Sequence, residues 1–298
     1  MPQCFSNLPC PALPQLARRE LDSHKGSYGN AVLIGGMRGM AGAISLAGMA
    51  AVRAGAGLVR LAVPDCSLDT VAAFSPCYMT LPQPHDCCGR ISELSEVLLA
   101  TLTHASCVAI GPGLGRSTEL QHLIRQILDA VPCPVVIDAD GLNNVADGKI
   151  DLPRRGGLVL TPHPGEWTRL SSIPALARQE QIDTSAQFAL EHRATIVLKG
   201  HSTFVTDGMT GAFVQTGTPA MATGGSGDVL TGVIAALICQ GLAPRDAAHL
   251  AVHIHGLAGQ IAQRDQASHV VLPTELISYL PHALRDAIEN SVPRSDSK

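Results

Sequence analysis

Aromatic residues are scarce in this 298-residue chain: one Trp, three Tyr and five Phe make up only 3% of it. A core with so few rings must pack through Gly, Ala, Val and Leu, which suits helices lying on a sheet better than a β-sandwich. Lysine is rarer still, with Lys25, Lys149, Lys199 and Lys298 set against a much larger number of arginines. The net charge of −4, without any block of basic residues, gives no electrostatic footprint for nucleic acid or for a membrane surface. No apolar run reaches the roughly 18 residues of a membrane span. A small molecule is the expected partner.

Several motifs are also missing. The nine cysteines contain no CxxC spacing, so neither a zinc site nor a dithiol redox motif is indicated, and they read as reduced thiols. The role of the adjacent pair Cys87 and Cys88 is not legible. There is no GxxxxGK[ST], no GxGxxG after the first expected strand and no Gly-x-Ser-x-Gly, which disfavours a P-loop enzyme, a dehydrogenase and a serine hydrolase. The N-terminal MPQCFSNLPCPALPQL lacks a basic segment followed by an uninterrupted apolar core, so it does not read as a signal peptide. A cytoplasmic protein is expected. His249 and His253 share a helix face at metal-ligand spacing, with His255 close by, but no zincin glutamate or third ligand accompanies them. They read as packed structural histidines.

What the chain does have is alternation. Strands are expected at 31–36, 58–63, 105–110, 134–138, 157–160, 195–198 and 203–206. Helices are expected at 42–56, 91–103, 118–130, 174–192, 226–240, 244–263 and 274–287. The stretch with Pro76, Pro82 and Pro84 is expected to be irregular. This rhythm predicts a mainly parallel sheet covered on both faces. One domain over 20–290 is expected, with 1–19 and 291–298 as flexible ends.

In such folds ligands bind beyond the carboxyl ends of the strands. Polar, glycine-marked turns fall there four times: Gly111-Pro112-Gly113-Leu114-Gly115, Asp138-Ala139-Asp140-Gly141-Leu142-Asn143, Thr161-Pro162-His163-Pro164-Gly165-Glu166 and Lys199-Gly200-His201-Ser202-Thr203. Lys199 ends a strand, where its ammonium can reach a phosphate as a mobile point charge. The most telling stretch is Gly217 to Gly232, GTPAMATGGSGDVLTG. Glycines at 224, 225 and 227 allow close approach to a ligand, and the first amides of the following helix favour an anion. Asp228 stands at that junction, either as a base beside the anion site or as a carboxylate complementing the helix N-terminus.

Taken in order, KGSYGNAVLIGG, MAGAISLAGMAAVRAGAGLV, GPGLG, DADGLN, LTPHPGE, LKGHSTFV and GTPAMATGGSGDVLTG resemble the nucleotide-dependent NAD(P)H-hydrate dehydratases of the ribokinase-like superfamily, over about Lys25 to Leu280. The resemblance implies an α/β fold, a ribokinase-like three-layer α/β/α sandwich with a mainly parallel central sheet. It implies dehydration of (S)-NADHX or (S)-NADPHX to NADH or NADPH, with ADP, or alternatively ATP, as phosphoryl donor and Mg²⁺ as cofactor. Asp228 would take the proton of the attacking C6 hydroxyl, with the Gly225, Ser226 and Gly227 amides as an anion hole. Ala43, Gly113, His163 and Asp228 fall where the family contacts the hydrated dinucleotide. Lys199, Gly200, His201, Ser202, Thr203 and Gly227 resemble its nucleotide-binding stretch. Asn143 and Glu166 are the candidate Mg²⁺ ligands, through water. Without a fused epimerase domain the chain is similar to the bacterial ADP-using branch, which implies a functional link to an NAD(P)H-hydrate epimerase and a homotetramer. A kinase of the same fold acting on a vitamin precursor is the alternative, since base and anion hole would be the same.

Overall fold

The computed structural model describes residues 8–154, 156–173 and 177–289. The strands are β1 (Asn30–Ile34), β2 (Leu58–Pro64), β3 (Met79–Gln83), β4 (Cys107–Ile110), β5 (Val135–Ile137), β6 (Leu158–Leu160), β7 (Ala194–Leu198), β8 (Thr203–Thr206) and β9 (Gly211–Val214). They form one sheet in the order β3-β2-β1-β4-β5-β6-β7-β8-β9. Pairing is parallel from β3 through β7 and antiparallel for β7–β8 and β8–β9.

The helices are α1 (Ala41–Arg53), α2 (Leu68–Phe74), α3 (Glu96–Leu102), α4 (Thr118–Ala130), α5 (Ala139–Asp147), α6 (Pro164–Ser171), α7 (Arg178–His192), α8 (Ser226–Cys239), α9 (Pro244–Gln266) and α10 (Pro273–Glu289). Strand side chains point alternately to the two faces, and that alternation splits the core in two. Ala31, Leu33, Leu61, Ala109, Val136 and Val197 face a layer made by α1, α8, α9 and α10. Val32, Ile34, Val108, Ile110, Ile137 and Leu160 face the opposite layer, which includes α4 and Trp167 of α6. The result is the three-layer α/β/α arrangement with a mainly parallel sheet. No helix among the described residues is long and apolar enough to cross a membrane.

Small residues allow the first layer to pack closely. A Cβ on Gly232 of α8 would lie 2.0 Å from the Ala47 carbonyl oxygen of α1, so these helices meet backbone to backbone. α8 is apolar on all sides, as befits a helix buried between neighbours.

Several expectations need correction. The proline-bearing stretch holds both α2 and β3; Pro82 is accommodated because β3 is an edge strand paired only with β2. Strand β9 and helices α5 and α6 were not anticipated. The helix expected at 91–103 begins only at Glu96, where Ser95 accepts from the Leu98 amide as its N-cap. Of the helix expected at 174–192, residues 174–176 lie outside the described residues and α7 begins at Arg178. Residues 8–19, expected as part of a flexible end, lie against the fold. Leu16 is buried, the Gly211 amide donates to the Pro9 carbonyl at 3.1 Å, and Arg19 donates to the Gly55 carbonyl at 2.6 Å while its guanidinium sits 3.7 Å from the Tyr28 ring centroid. Residues 1–7 and 291–298 lie outside the described residues.

Substituting Gly232→Ala is expected to destabilise the protein by about 1–3 kcal/mol in urea unfolding, because α1 and α8 must move apart. Unchanged stability would contradict the close contact.

Candidate functional site

The strand order reverses between β1 and β4, and the loops after β1, β4, β5, β6 and β7 all leave the sheet at its carboxyl end. That crevice is where open α/β sheets bind ligands. Loop contacts bring its first two walls together. The Gly36 amide donates to Pro112 O at 3.0 Å and the Met37 amide to Gly113 O at 2.7 Å. Gly113 has φ +60, and a Cβ there would meet Met40 at 2.7 Å and Ala43 at 3.2 Å, so a side chain is excluded where Ala43 and Gly113 adjoin.

The centre of the site is Asp138, the N-cap residue of α5. Its buried carboxylate accepts from Lys199 Nζ at 2.8 Å, Thr161 Oγ1 at 2.7 Å and Thr231 Oγ1 at 2.7 Å. Burial opposes ionisation, but the Lys199 ammonium and the two hydroxyls prevail and hold this carboxyl below the ordinary aspartate range. Burial likewise opposes the Lys199 charge, and Asp138, Glu166 and Asp228 outweigh it, leaving the ammonium above its ordinary range. Lys199 remains 21% exposed through the cavity beside it.

His163 and Glu166 build the start of α6 as a reciprocal cap. His163 Nδ1 accepts from the Gly165 and Glu166 amides at 3.0 and 3.3 Å, and Glu166 Oε2 accepts from the His163 amide at 2.8 Å. Pro164 at the first helical position and glutamate at the third are a legible helix start; read as a loop, TPHPGE hid α6. Glu166 Oε1 also lies 3.3 Å from His163 Nε2, and Oε2 lies 3.7 Å from Lys199 Nζ.

Asp228 lies in the first turn of α8, whose N-cap Gly225 has φ +97, a left-handed conformation that favours glycine. Burial, then the nearby carboxylates of Asp138, Asp140 and Glu166, work against its charge, while Lys199 favours it; the balance pushes its pKa up to about 7. A carboxyl in that range exchanges protons readily at neutral pH. The Ser226 amide donates to Thr223 O at 3.4 Å. The Gly227 and Asp228 amides have no acceptor among the described residues.

Beside these groups is a cavity of about 440 Å³, lined by Lys199, Gly200, His201, Thr203, Ser226 and Gly227. Ser202 is not on its wall; its carbonyl accepts from Arg178 Nη2 at 2.9 Å. Gly225 is not on the wall either: a Cβ there would face Leu46 and Pro273. The remaining wall comes from Thr216, Gly217, Thr218, Pro219, Met221, Ala222 and Leu230, and from Val252, His255 and Gly256 of α9; the residues from 217 to 230 fall in the stretch the sequence singled out, whereas Thr216 and the three residues of α9 had not been assigned to the site. His255 donates through Nε2 to the Ser226 carbonyl at 2.9 Å. Among the described residues no group of three or more His, Cys, Asp or Glu side chains is arranged to hold a metal ion.

The donors expected for Mg²⁺ do not make an open cage. Asn143 Oδ1 accepts from Arg169 Nε at 2.9 Å, its Nδ2 donates to Asp140 Oδ1 at 3.3 Å, and both oxygens of Glu166 are engaged as above. These residues do not fit a directly coordinated ion.

A family model described as NAD(P)H-hydrate dehydratase matches residues 31–282. The chain belongs to the NAD(P)H-hydrate dehydratase family. It is 42% identical over 281 residues to a bifunctional NAD(P)H-hydrate repair enzyme of Moorella thermoacetica, with 92% of this chain and 53% of that protein covered. The chain thus spans about half the length of that relative. It is 35% identical to an ADP-dependent (S)-NAD(P)H-hydrate dehydratase of Listeria monocytogenes, covering 91% of this chain and 92% of the relative. Among solved structures, a Bacillus subtilis ADP/ATP-dependent NAD(P)H-hydrate dehydratase co-crystallised with ATP/Mg²⁺ superposes with a TM-score of 0.76 at 28% identity, over 94% of this chain and 99% of that one. Membership of this dehydratase family agrees with the ribokinase-like fold expected from the motifs.

Two outcomes follow from the charges. Asp138→Ala leaves Lys199 without its principal counter-ion and is expected to cost about 3–5 kcal/mol in urea unfolding at pH 7. Asp138, held low, stabilises the fold above the ordinary aspartate range and ceases to as pH falls through its folded value; Lys199, held high, does so until pH exceeds the ordinary lysine range. A loss below about 1 kcal/mol would contradict the pairing. Asp228 has the opposite sign to Asp138: stability falls as pH rises from the ordinary aspartate range through about 7. Asp228→Asn cannot ionise, so its melting temperature at pH 8 is expected to exceed that of the unsubstituted protein.

Proposed function

We propose that the chain is an ADP-dependent (S)-NAD(P)H-hydrate dehydratase, which returns the hydrated cofactor to NADH or NADPH and converts ADP to AMP and phosphate. The observation that carries this reading is Asp228, a carboxyl with its pKa at about 7, next to unpaired first-turn amides and a cavity bordered by Lys199 and Gly227.

The chemistry follows from the leaving group. Hydroxide leaves poorly, so the C6 hydroxyl of the hydrate must first be made into phosphate. Asp228 takes its proton as the oxygen attacks the terminal phosphorus of the nucleotide, and AMP departs. The amides of Gly227 and Asp228 hold the charge on the transferring group, as donors preorganised at the start of a helix. The ring-nitrogen lone pair then expels phosphate from C6, and loss of a proton from C5 to solvent forms the C5=C6 double bond and restores the dihydronicotinamide. Most of the protein's contribution is positioning and charge stabilisation. Mg²⁺ would enter on the nucleotide phosphates, with Asn143 and Glu166 meeting it only through water. Ala43, Gly113 and His163 border the hydrated dinucleotide, while the 199–203 turn and the wall from Thr216 to Ala222 take the nucleotide. A homotetramer in the cytoplasm, working beside an NAD(P)H-hydrate epimerase, completes the reading.

With epimer-equilibrated NADHX and Mg²⁺, the near-ultraviolet absorbance of reduced nicotinamide is expected to rise with ADP. A rise with ATP alone would replace the donor, and none with either would favour a vitamin-precursor kinase. Asp228→Asn should lower turnover by about 10²–10⁴-fold while ADP binding is retained. In the unsubstituted enzyme kcat/KM should climb with pH through about 7, since the base must be ionised. Undiminished turnover in Asp228→Asn would overturn its role.

A further inference from the structure

We propose that His255 is a positioning residue for phosphoryl transfer: by holding the Ser226 carbonyl it aims the Gly227 amide into the anion site. The inference rests on the dehydratase reading for the identity of the group transferred. Its geometry does not.

The carbonyl of Ser226 and the N–H of Gly227 belong to one peptide unit. That unit is planar, and in its trans form the two bonds point in opposite directions. No cis peptide bond occurs among the described residues. A donor that fixes the carbonyl therefore fixes the direction of the amide. His255 Nε2 is 2.9 Å from Ser226 O, and it reaches there from α9, an element packed along α8.

The amide so aimed is the one the site needs. Gly227 N–H has no acceptor among the described residues, as expected for the first turn of a helix. A Cβ on Gly227 would lie 3.6 Å from Lys199 Nζ and 4.0 Å from Asp138 Oδ2, so the residue stands beside the ammonium. Ser226, Gly227, Lys199 and His255 share one cavity. An anion meeting Lys199 in that cavity is within the reach of the Gly227 amide.

The choice of histidine is explained by the same surroundings. Burial lowers the basicity of the ring, the Ser226 carbonyl opposes this and Lys199 adds to it, leaving its pKa at about 4. The imidazole is neutral at working pH, with its proton on Nε2 toward the carbonyl. It supplies a donor without a second positive charge beside Lys199, which an ammonium would bring.

Two readouts test this in His255→Leu and His255→Gln, the latter retaining an N–H donor. The first is the ¹H–¹⁵N resonance of the Gly227 amide during titration with ADP. It should shift downfield in the unsubstituted protein and in His255→Gln, and not in His255→Leu. This arm needs no turnover, so it decides the inference even if NADHX is not a substrate. The second is kinetic. His255→Leu should lose about 10²-fold in kcat through misplacement of the transition-state donor, with the KM for ADP changed far less. His255→Gln should recover kcat to within about tenfold of the unsubstituted enzyme, the equivalent of one hydrogen bond's difference in strength. An unaltered Gly227 response in His255→Leu, or equal loss of kcat in both variants, would overturn the proposal. Where His255→Leu does not fold, His255→Met replaces it as the variant without a donor.

Discussion

A buried carboxylate that accepts from one ammonium and two hydroxyls joins four parts of this chain at one point. Asp138 leaves β5, Thr161 follows β6, Lys199 follows β7 and Thr231 belongs to α8. These parts are far apart in sequence and adjacent only because the sheet runs β5-β6-β7 in parallel. Charge buried this way costs desolvation free energy, and pairing plus full hydrogen bonding offsets it. What the arrangement contributes beyond offsetting that cost is electrostatic: Asp138 takes up part of the Lys199 charge and adds a negative field at Asp228. Together with burial, that field carries Asp228 to the neutral range. The structural pair and the candidate base are parts of a single charge balance.

This balance explains why the anion site is built from backbone amides as well as from lysine. With Asp138 and Glu166 beside it, the Lys199 ammonium does not stand alone as an unopposed positive centre. The first-turn amides of α8 add donors that carry no counter-ion and cannot lose a proton. The helix that presents them is buried and apolar, and its contact with α1 is close enough that Gly232 admits no side chain. Rigidity in the core thus holds the start of α8, and with it these amides, beside the cavity.

Much of this was legible in the chain. The α/β alternation gave the sheet and both helical layers because strand side chains split between two faces, and the apolar runs of β1, β4 and β7 mark buried parallel strands. The polar strand-end turns located the crevice. Other features were hidden for identifiable reasons. Pro82 masked an edge strand, and Pro164 was read as a loop residue when it opens α6. Residues 8–19 looked loose because they form no regular element, although Leu16 and Arg19 hold them to the fold. Asp138 was noticed as one of two carboxylates at a strand end, but its partners come from residues 23, 61 and 93 positions away, which no local pattern exposes. His255 was set aside with its neighbours on α9 because spacing along a helix does not show which ring meets a carbonyl on the next one.

The account holds that the C6 oxygen leaves the hydrate as part of phosphate, after its hydroxyl has been phosphorylated. The direct measurement is to prepare NADHX carrying oxygen-18 in the C6 hydroxyl, turn it over with ADP and Mg²⁺, and determine by mass spectrometry where the label goes. The account predicts that it appears in the released phosphate. Label recovered in water, with unlabelled phosphate formed alongside, would contradict phosphoryl transfer and with it the role given to Asp228.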